Sequence, residues 1–193
     1  EDNIAFDDVS VSGRRAAERR VLGASFVPEE RYGHAAIKEM SLKDNALLTT
    51  SKKINLVEKG FLRSNEICDL AQKIISDFDV RTTGLEMETG NLSGGNLQKF
   101  ILGREILQNP RILIVSQPTW GVDAGAAVFL RKSLLDLAAR GCAILIISQD
   151  LDEIFEICDR IAVLYQGTLS PLINTESASI HQIGLLMGGE IAE

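Results

Sequence analysis

Asn109-Pro110-Arg111-Ile112-Leu113-Ile114-Val115-Ser116-Gln117-Pro118-Thr119 is the stretch on which the fold turns. Proline ends the element before it, four aliphatic residues (Ile112 to Val115) then run without alternation, and polar residues close the run. An unbroken apolar run of that length predicts a fully buried strand, the kind found inside parallel sheets. Ala143-Ile144-Leu145-Ile146-Ile147 is a second such run and predicts a second buried strand. Between the two, Ala124 to about Arg140 reads as a helix that stops at Gly141. Strand, helix and strand in this order predict parallel neighbours joined by a crossover.

Working outward, Asn96 to Gln108 is expected to be a helix stopped by Asn109-Pro110. From about Met40 to Gly90 the pattern turns helical and lacks strong strand signals: Ser41 to Leu48, then Ser64 to Asp77 with Ile67, Leu70, Ile74 and Ile75 at helical spacing. The first forty residues predict a short strand (Ile4 to Phe6), a basic helix bearing Arg14-Arg15 and Arg19-Arg20, and a buried strand ending in Ser25-Phe26-Val27. Pro28 closes that strand, since its ring cannot donate to a ladder. Beyond the second apolar run come a helix (Leu151 to Cys158) and a hairpin, Ile161 to Tyr165 with Thr168-Leu169 around Gln166-Gly167.

Composition narrows the function classes. The chain has 193 residues, 45% hydrophobic and 24% charged, with four prolines, which is the balance of a globular domain with a sizeable core. Twenty Lys and Arg against 27 Asp and Glu give a net charge of −7, which argues against broad binding to nucleic acid or to an anionic membrane surface. No apolar run reaches the roughly 18 to 20 residues a membrane-spanning helix needs. The start, Glu1-Asp2-Asn3, is neither a signal peptide nor an initiator methionine, and is expected to open a cut-down piece. Cys68, Cys142 and Cys158 stand far apart with no CxxC spacing, so neither a disulfide framework nor a zinc site is indicated. Cys142 and Cys158 are expected to be small core residues, in a reducing interior.

The string with the most chemistry is Leu92-Ser93-Gly94-Gly95-Asn96-Leu97-Gln98-Lys99, just ahead of a helix. Two glycines let backbone approach a ligand, the helix start has free N–H groups, and Ser93 adds a hydroxyl, so together they form an anion cradle. The same residues also suit an ordinary serine N-cap. His34 and His181 lack a metal-ligand pattern, and Trp120 is expected to be a partly buried anchor. Glu29, Glu30 and Arg31 suit a surface ion-pair cluster, and Asp150, Asp152 and Glu153 suit first-turn acids favoured by the helix dipole.

In this order and spacing the pieces resemble the ATP-binding subunits of ABC transporters, across nearly all of the chain. Leu92 to Lys99 looks like their signature motif, Ile112 to Gln117 like the Walker B strand, Gly121 to Asp123 like the D-loop, Gln149 like the switch position and Glu29 like the Q-loop. Phe26-Val27-Pro28-Glu29-Glu30-Arg31-Tyr32-Gly33, Ser116-Gln117-Pro118-Thr119 and Ile183-Gly184-Leu185-Leu186-Met187 resemble the second nucleotide-binding half of tandem importers for nucleosides or simple sugars. The resemblance implies an α/β fold: a partial RecA-like P-loop NTPase core with a mostly parallel sheet and an inserted α-helical subdomain. The division it implies is 1–39 for the front of the core, 40–91 for the helical subdomain, 92–175 for signature helix to switch, and 176–193 for a tail.

Departures from the family pattern carry as much as the agreements. No Gly-Lys pair occurs anywhere, so the Walker A loop is missing and is expected upstream of Glu1. Ser116 stands where the family has a carboxylate that helps hold Mg²⁺, and Gln117 where it has a water-orienting glutamate. An amide cannot take up a proton as a general base, and Gln149 at the usual histidine position cannot carry charge. Natural degeneracy explains both Walker B changes, and engineering against hydrolysis is the alternative. The resemblance then implies a domain poor in its own pocket, with no bound metal, that lends Ser93, Gly94 and Gly95, with Asn96 and Gln98 nearby, to ATP and Mg²⁺ held by a partner nucleotide-binding domain, the first half of the same polypeptide. Asp123 would bridge the two, and Glu29 with the helical stretch would face transmembrane permease subunits at the inner face of the cell membrane. No nucleotide is expected on this chain alone, which would be inactive. An ABC-type ATPase of DNA repair or chromosome maintenance, or a nucleotide-free structural or regulatory domain, are the rival readings.

Overall fold

The structure, a computed structural model, describes residues 4–6, 8–50, 56–58 and 60–189. Segment 51–55 of the helical stretch, the first three residues and the end of the C-terminal tail lie outside these. By packing the chain falls into two units, 1–147 and 148–193.

In the first unit the order is β1 (Ala5–Phe6), β2 (Val9–Ser10), α1 (Ala16–Val21), β3 (Ala24–Val27), α2 (Leu42–Thr50), β4 (Val57–Glu58), β5 (Phe61–Leu62), α3 (Ser64–Asp77), α4 (Gly94–Ile106), β6 (Ile112–Ser116), α5 (Ala124–Ala139) and β7 (Ala143–Ile147). The main sheet is β3-β6-β7, all parallel, with Ala24 beside Ile112 and Ile112 beside Ala143. Helices α4 and α5 pack on this sheet and on each other. One set of alternating residues is closed off completely, with Val27, Leu113 and Val115 at 0% exposure, joined by Phe100, Ile101, Leu130 and Leu134 from the helices. Burying each such side chain contributes about 1.5–3 kcal/mol.

The other face of the sheet corrects the expectation of two fully buried strands. Ile112 and Ile114 are only half-buried, and on the edge strand β7 Leu145 is 55% and Ile147 51% exposed. Unbroken aliphatic runs describe what each strand is able to bury; the number of layers laid on it is decided elsewhere. The helical stretch likewise holds a two-stranded antiparallel hairpin, β4 with β5, that its sequence did not suggest. Four strand residues around Gly60, which has φ +86°, are too short a signal to stand out. Helix α4 begins two residues before the expected Asn96, because Ser93 caps it.

A single asparagine organises the entry to the helical region. Asn45, fully buried on α2, receives the Ile37 N–H at 2.8 Å and donates to the carbonyls of Ile37, Met40 and Ser41 at 3.0–3.1 Å. That satisfies a buried amide and the turn it holds. Where α4 meets α1 and α2, a buried charge cluster forms: Glu105, at 0% exposure, receives Arg104 Nε at 3.1 Å, Arg20 Nη1 at 2.8 Å and the Thr49 hydroxyl at 2.7 Å. Burial pushes the Glu105 carboxyl up, but Arg104 and Arg20 with the Thr49 hydroxyl outweigh it and hold it below the ordinary range.

The second unit holds α6 (Leu151–Ile157), β8 (Arg160–Ile161), β9 (Leu164–Tyr165), β10 (Thr168–Leu169), β11 (Ile173–Asn174) and α7 (Ile180–Met187). The expected hairpin is β9-β10, and its turn residues Gln166 and Gly167 both have positive φ (45° and 80°), as a two-residue I′-type connection requires. Ile161, Val163 and Ile183 make a small core. Ile183 of α7 packs into that core. Cys142 is buried as expected, but Cys158 is half-buried, and burial pushes its thiol up to about 11.

Candidate functional site

The site grows from the first turn of α4. Ser93 is the N-cap: its Oγ accepts from the Asn96 N–H at 3.4 Å and from Asn96 Nδ2 at 2.9 Å. Both bonds use oxygen lone pairs, so the hydroxyl proton is left to donate outward from an exposed residue. The cap and the anion cradle are therefore compatible in one side chain. Asn96 is itself held, since its Oδ1 accepts the Arg81 N–H at 2.9 Å. First-turn N–H groups have no partner within their own helix, and the dipole of a 13-residue helix adds positive potential there.

Gly94 is exposed and Gly95 buried, and each has an internal reason to lack a Cβ. A Cβ on Gly94 would stand 3.0 Å from Arg31 Nη1, and one on Gly95 3.2 Å from Asp123 Oδ2. The glycine pair thus lets neighbouring side chains close onto the turn from behind. Asp123 caps α5, its Oδ1 accepting the Ala126 N–H at 2.9 Å, and that backbone bond holds its carboxyl below the usual range. The first turn of α4 and the cap of α5 are so brought side by side. Gln98 goes inward: it is 1% exposed and its Oε1 accepts Arg31 Nε at 2.8 Å.

At the end of β6, Ser116 is half-buried and registers beside Ile147. Gln117 has φ +50°, uncommon for a residue with a side chain, and is 8% exposed. Its N–H donates to the Ile147 carbonyl at 2.7 Å, which locks the strand's exit. Neither side chain is an anionic oxygen donor. Among the described residues no group of three or more His, Cys, Asp or Glu is placed to hold a metal ion. Ser116 and Gln117 themselves carry no negative charge to offer a divalent cation.

Gln149 is exposed and belongs to the second unit, just ahead of Asp150, the N-cap of α6. Glu29 is exposed and lines an open cleft of about 590 Å³ with Arg31, Tyr32, Lys38, Gly94 and Trp120. Two expectations change. Trp120 is 68% exposed, its neighbours Pro118 and Gln117 taking the buried positions. Glu30 pairs with His34 at 3.0 Å, while Arg31 turns away from both glutamates. Asp152 and Glu153 are first-turn acids of α6 behind the Asp150 cap, as expected, and Glu153 is fully buried with neither carboxylate oxygen hydrogen-bonded among the described residues.

Sequence reasoning missed Arg31 as a member of the site. Its one signal was position, directly after the strand-ending Pro28-Glu29-Glu30, and charge pattern alone assigned it to the surface.

Known proteins give the arrangement a context. No family model matches the chain. The nucleoside import ATP-binding protein NupA of Lactococcus lactis subsp. cremoris is 38% identical over 192 residues, 99% of this chain and 38% of that protein. The guanosine import ATP-binding protein NupO of Bacillus subtilis is 37% identical over 86% of this chain and 33% of its own length. The glucose import ATP-binding protein TsgD13 of Haloferax volcanii is 36% identical over 96% and 35%. The chain thus spans about a third of the length of these relatives. Among solved structures, a dimeric ATP-binding cassette in a post-hydrolysis state with ADP and Pi superposes with a TM-score of 0.73 at 18% identity, over 88% of this chain and 72% of that one. A nucleotide-free ATP-binding cassette from an ABC transporter gives 0.70 at 22% identity, over 97% and 74%. The fold is that of an ATP-binding cassette, an α/β RecA-like P-loop architecture.

Proposed function

We propose, for a chain that belongs with the ATP-binding proteins of ABC transporters of the nucleoside and sugar importer type, that its task is to offer the Ser93-Gly94-Gly95 turn to a nucleotide held by a partner nucleotide-binding domain. The supporting observation is the Ser93 cap, which spends the oxygen's lone pairs on Asn96 and keeps an exposed O–H for an acceptor outside the domain. A terminal phosphate supplies that acceptor when bound. Charge on its oxygens spreads as the bond to the leaving group loosens, and donors already in place stabilise it without reorganising.

Each residue then has a task of its own. Ser93 donates its hydroxyl, and the first-turn amides at Gly94 and Gly95 face the same anion. Asn96 fixes the Ser93 oxygen, and Gln98 anchors the turn from inside. Asp123 bridges towards the partner domain. Ser116, Gln117 and Gln149 leave this domain's own pocket without a carboxylate or an imidazole, so hydrolysis belongs to the opposite pocket, with its ATP and Mg²⁺. Glu29 and the helical region 40–91 receive the transmembrane permease subunits, at the inner face of the membrane. No helix among the described residues is long and apolar enough to cross a membrane. The partner domain is the other half of a longer polypeptide, consistent with relatives more than twice as long as the matched region. Their names weigh for import over DNA maintenance, and for nucleosides or simple sugars as cargo.

The test is Ser93→Arg in the full-length protein, assembled with its membrane partners, with ATP turnover as the readout. Arginine fills the exposed face of the turn, and turnover is expected to fall by at least about a hundredfold, near the loss of a preorganised donor. Unaltered turnover would refute the trans role.

A further inference from the structure

Two adjacent residues in the loop after β3 reach in opposite directions. Arg31 Nε donates to Gln98 Oε1 at 2.8 Å, Nη1 lies 3.4 Å from the Gly94 carbonyl oxygen, and Nη2 donates to the carbonyl of Trp120. Tyr32 donates its hydroxyl to the Thr89 carbonyl at 3.0 Å, where the helical region returns to the core. The loop that carries them is tied down, with the Ala36 and Ala35 N–H groups on the Arg31 carbonyl at 2.7 and 3.1 Å and the Gly33 N–H on the Ala36 carbonyl at 2.9 Å.

A guanidinium is planar, with its donors in a fixed fork, so three nitrogens on three partners leave it no freedom to turn. Those partners belong to different stretches: Gly94 and Gln98 to the signature turn and helix α4, Trp120 to the connection from β6 to α5. Gly94 has no Cβ to hold the fork away, and Gln98 meets it from a buried position. Displacing the loop after β3 therefore displaces the signature turn and the D-loop together.

We infer that Arg31 is the positioning residue of the signature turn, transmitting the position of loop 28–36 to Ser93 and Gly94, while Tyr32 ties the same loop to the helical region through Thr89. This rests on the trans role proposed above, since positioning matters for turnover only if the turn meets a phosphate. Arg31 touches no reacting atom itself; it sets how rigidly the donors are aimed. Lysine keeps the charge but offers a single point, so it cannot bridge Gln98, Gly94 and Trp120 at once.

The experiment compares Arg31→Lys, Arg31→Met, Tyr32→Phe and Ser93→Arg in the full-length protein with its membrane partners. It reads kcat and KM for ATP, and amide hydrogen exchange over residues 93–98 against the rest of the domain. Both Arg31 variants are expected to lower kcat about tenfold with KM changed less than twofold, and to speed exchange about tenfold at 94–96 alone. Tyr32→Phe is expected to lower kcat two- to threefold. Wild-type kcat with unchanged local exchange in Arg31→Lys overturns the inference. So does faster exchange across the whole domain with no separation of kcat from KM, the signature of a merely structural residue. If Arg31→Met does not fold, Arg31→Lys decides by the same criteria. If Ser93→Arg leaves turnover intact, the trans role falls, and local exchange still shows whether Arg31 braces the turn.

Discussion

The start of α4 and the end of β6 follow one another in the chain, yet they are built on opposite principles. At the start of α4 every side chain is held by another: Ser93 by Asn96, Asn96 by the Arg81 backbone, Gln98 by Arg31, and Gly95 closed over by Asp123. At the end of β6 Ser116 and Gln117 are neutral, and Gln117 keeps a left-handed backbone conformation. Preorganised donors need bracing against motion, and the fold invests charged hydrogen bonds in it. The end of β6 presents no carboxylate at 116 or 117, and its turn keeps a side chain at a positive φ.

Perturbing each region separately breaks or sharpens this contrast. The largest effect is expected where α4 is anchored at its other end. Glu105→Ala leaves Arg104 buried and short of its carboxylate, and urea unfolding is expected to show a loss of about 3–5 kcal/mol. A loss under about 1 kcal/mol would mean that α4 is held by packing alone. Next comes Leu113→Ala beneath β6, with about 2–5 kcal/mol expected from lost burial and the cavity left behind. Smaller is the acid response of the α5 cap. Hydrogen bonding lowers the folded-state pKa of Asp123, so its contribution is present above the unfolded value and is lost as pH falls through the folded one. Asp123→Asn, which keeps a capping oxygen but does not titrate, is expected to lose less stability than the wild type between pH 5 and pH 2; parallel pH curves would remove the ionised cap from the account. Smallest is Gln117→Gly, which accepts the positive φ without a Cβ and is expected to leave stability level or raise it by up to about 1 kcal/mol. A clear drop would show that the Gln117 side chain is itself held in place.

Much of this was legible because it rests on local chemistry. The proline at 110 and the aliphatic run after it marked β6, Gly141 marked the end of α5, and Ser93 before two glycines marked a capped helix start. The hairpin at Gln166-Gly167 was visible for the same reason, because a two-residue turn demands positive φ. Arg31 was not legible. Nothing near it in sequence says that Gln98 and Trp120 come within reach, and the adjacent glutamates offered a plausible but wrong partner. The same holds for Glu105, whose partners Arg20 and Thr49 lie far along the chain. Leu145 and Ile147 erred the other way: apolar by composition, exposed in place.

Sequence by itself determined which residues cap, turn and pair as strands, and that the end of β6 carries the neutral Ser116 and Gln117, because these depend on residue type and near neighbours. Only the tertiary structure decided that the glycine pair receives Arg31 and Asp123 and that Gln98 faces inward. The physical reason is the length scale: backbone preference acts over a few residues, whereas a guanidinium finds its acceptors wherever folding brings them.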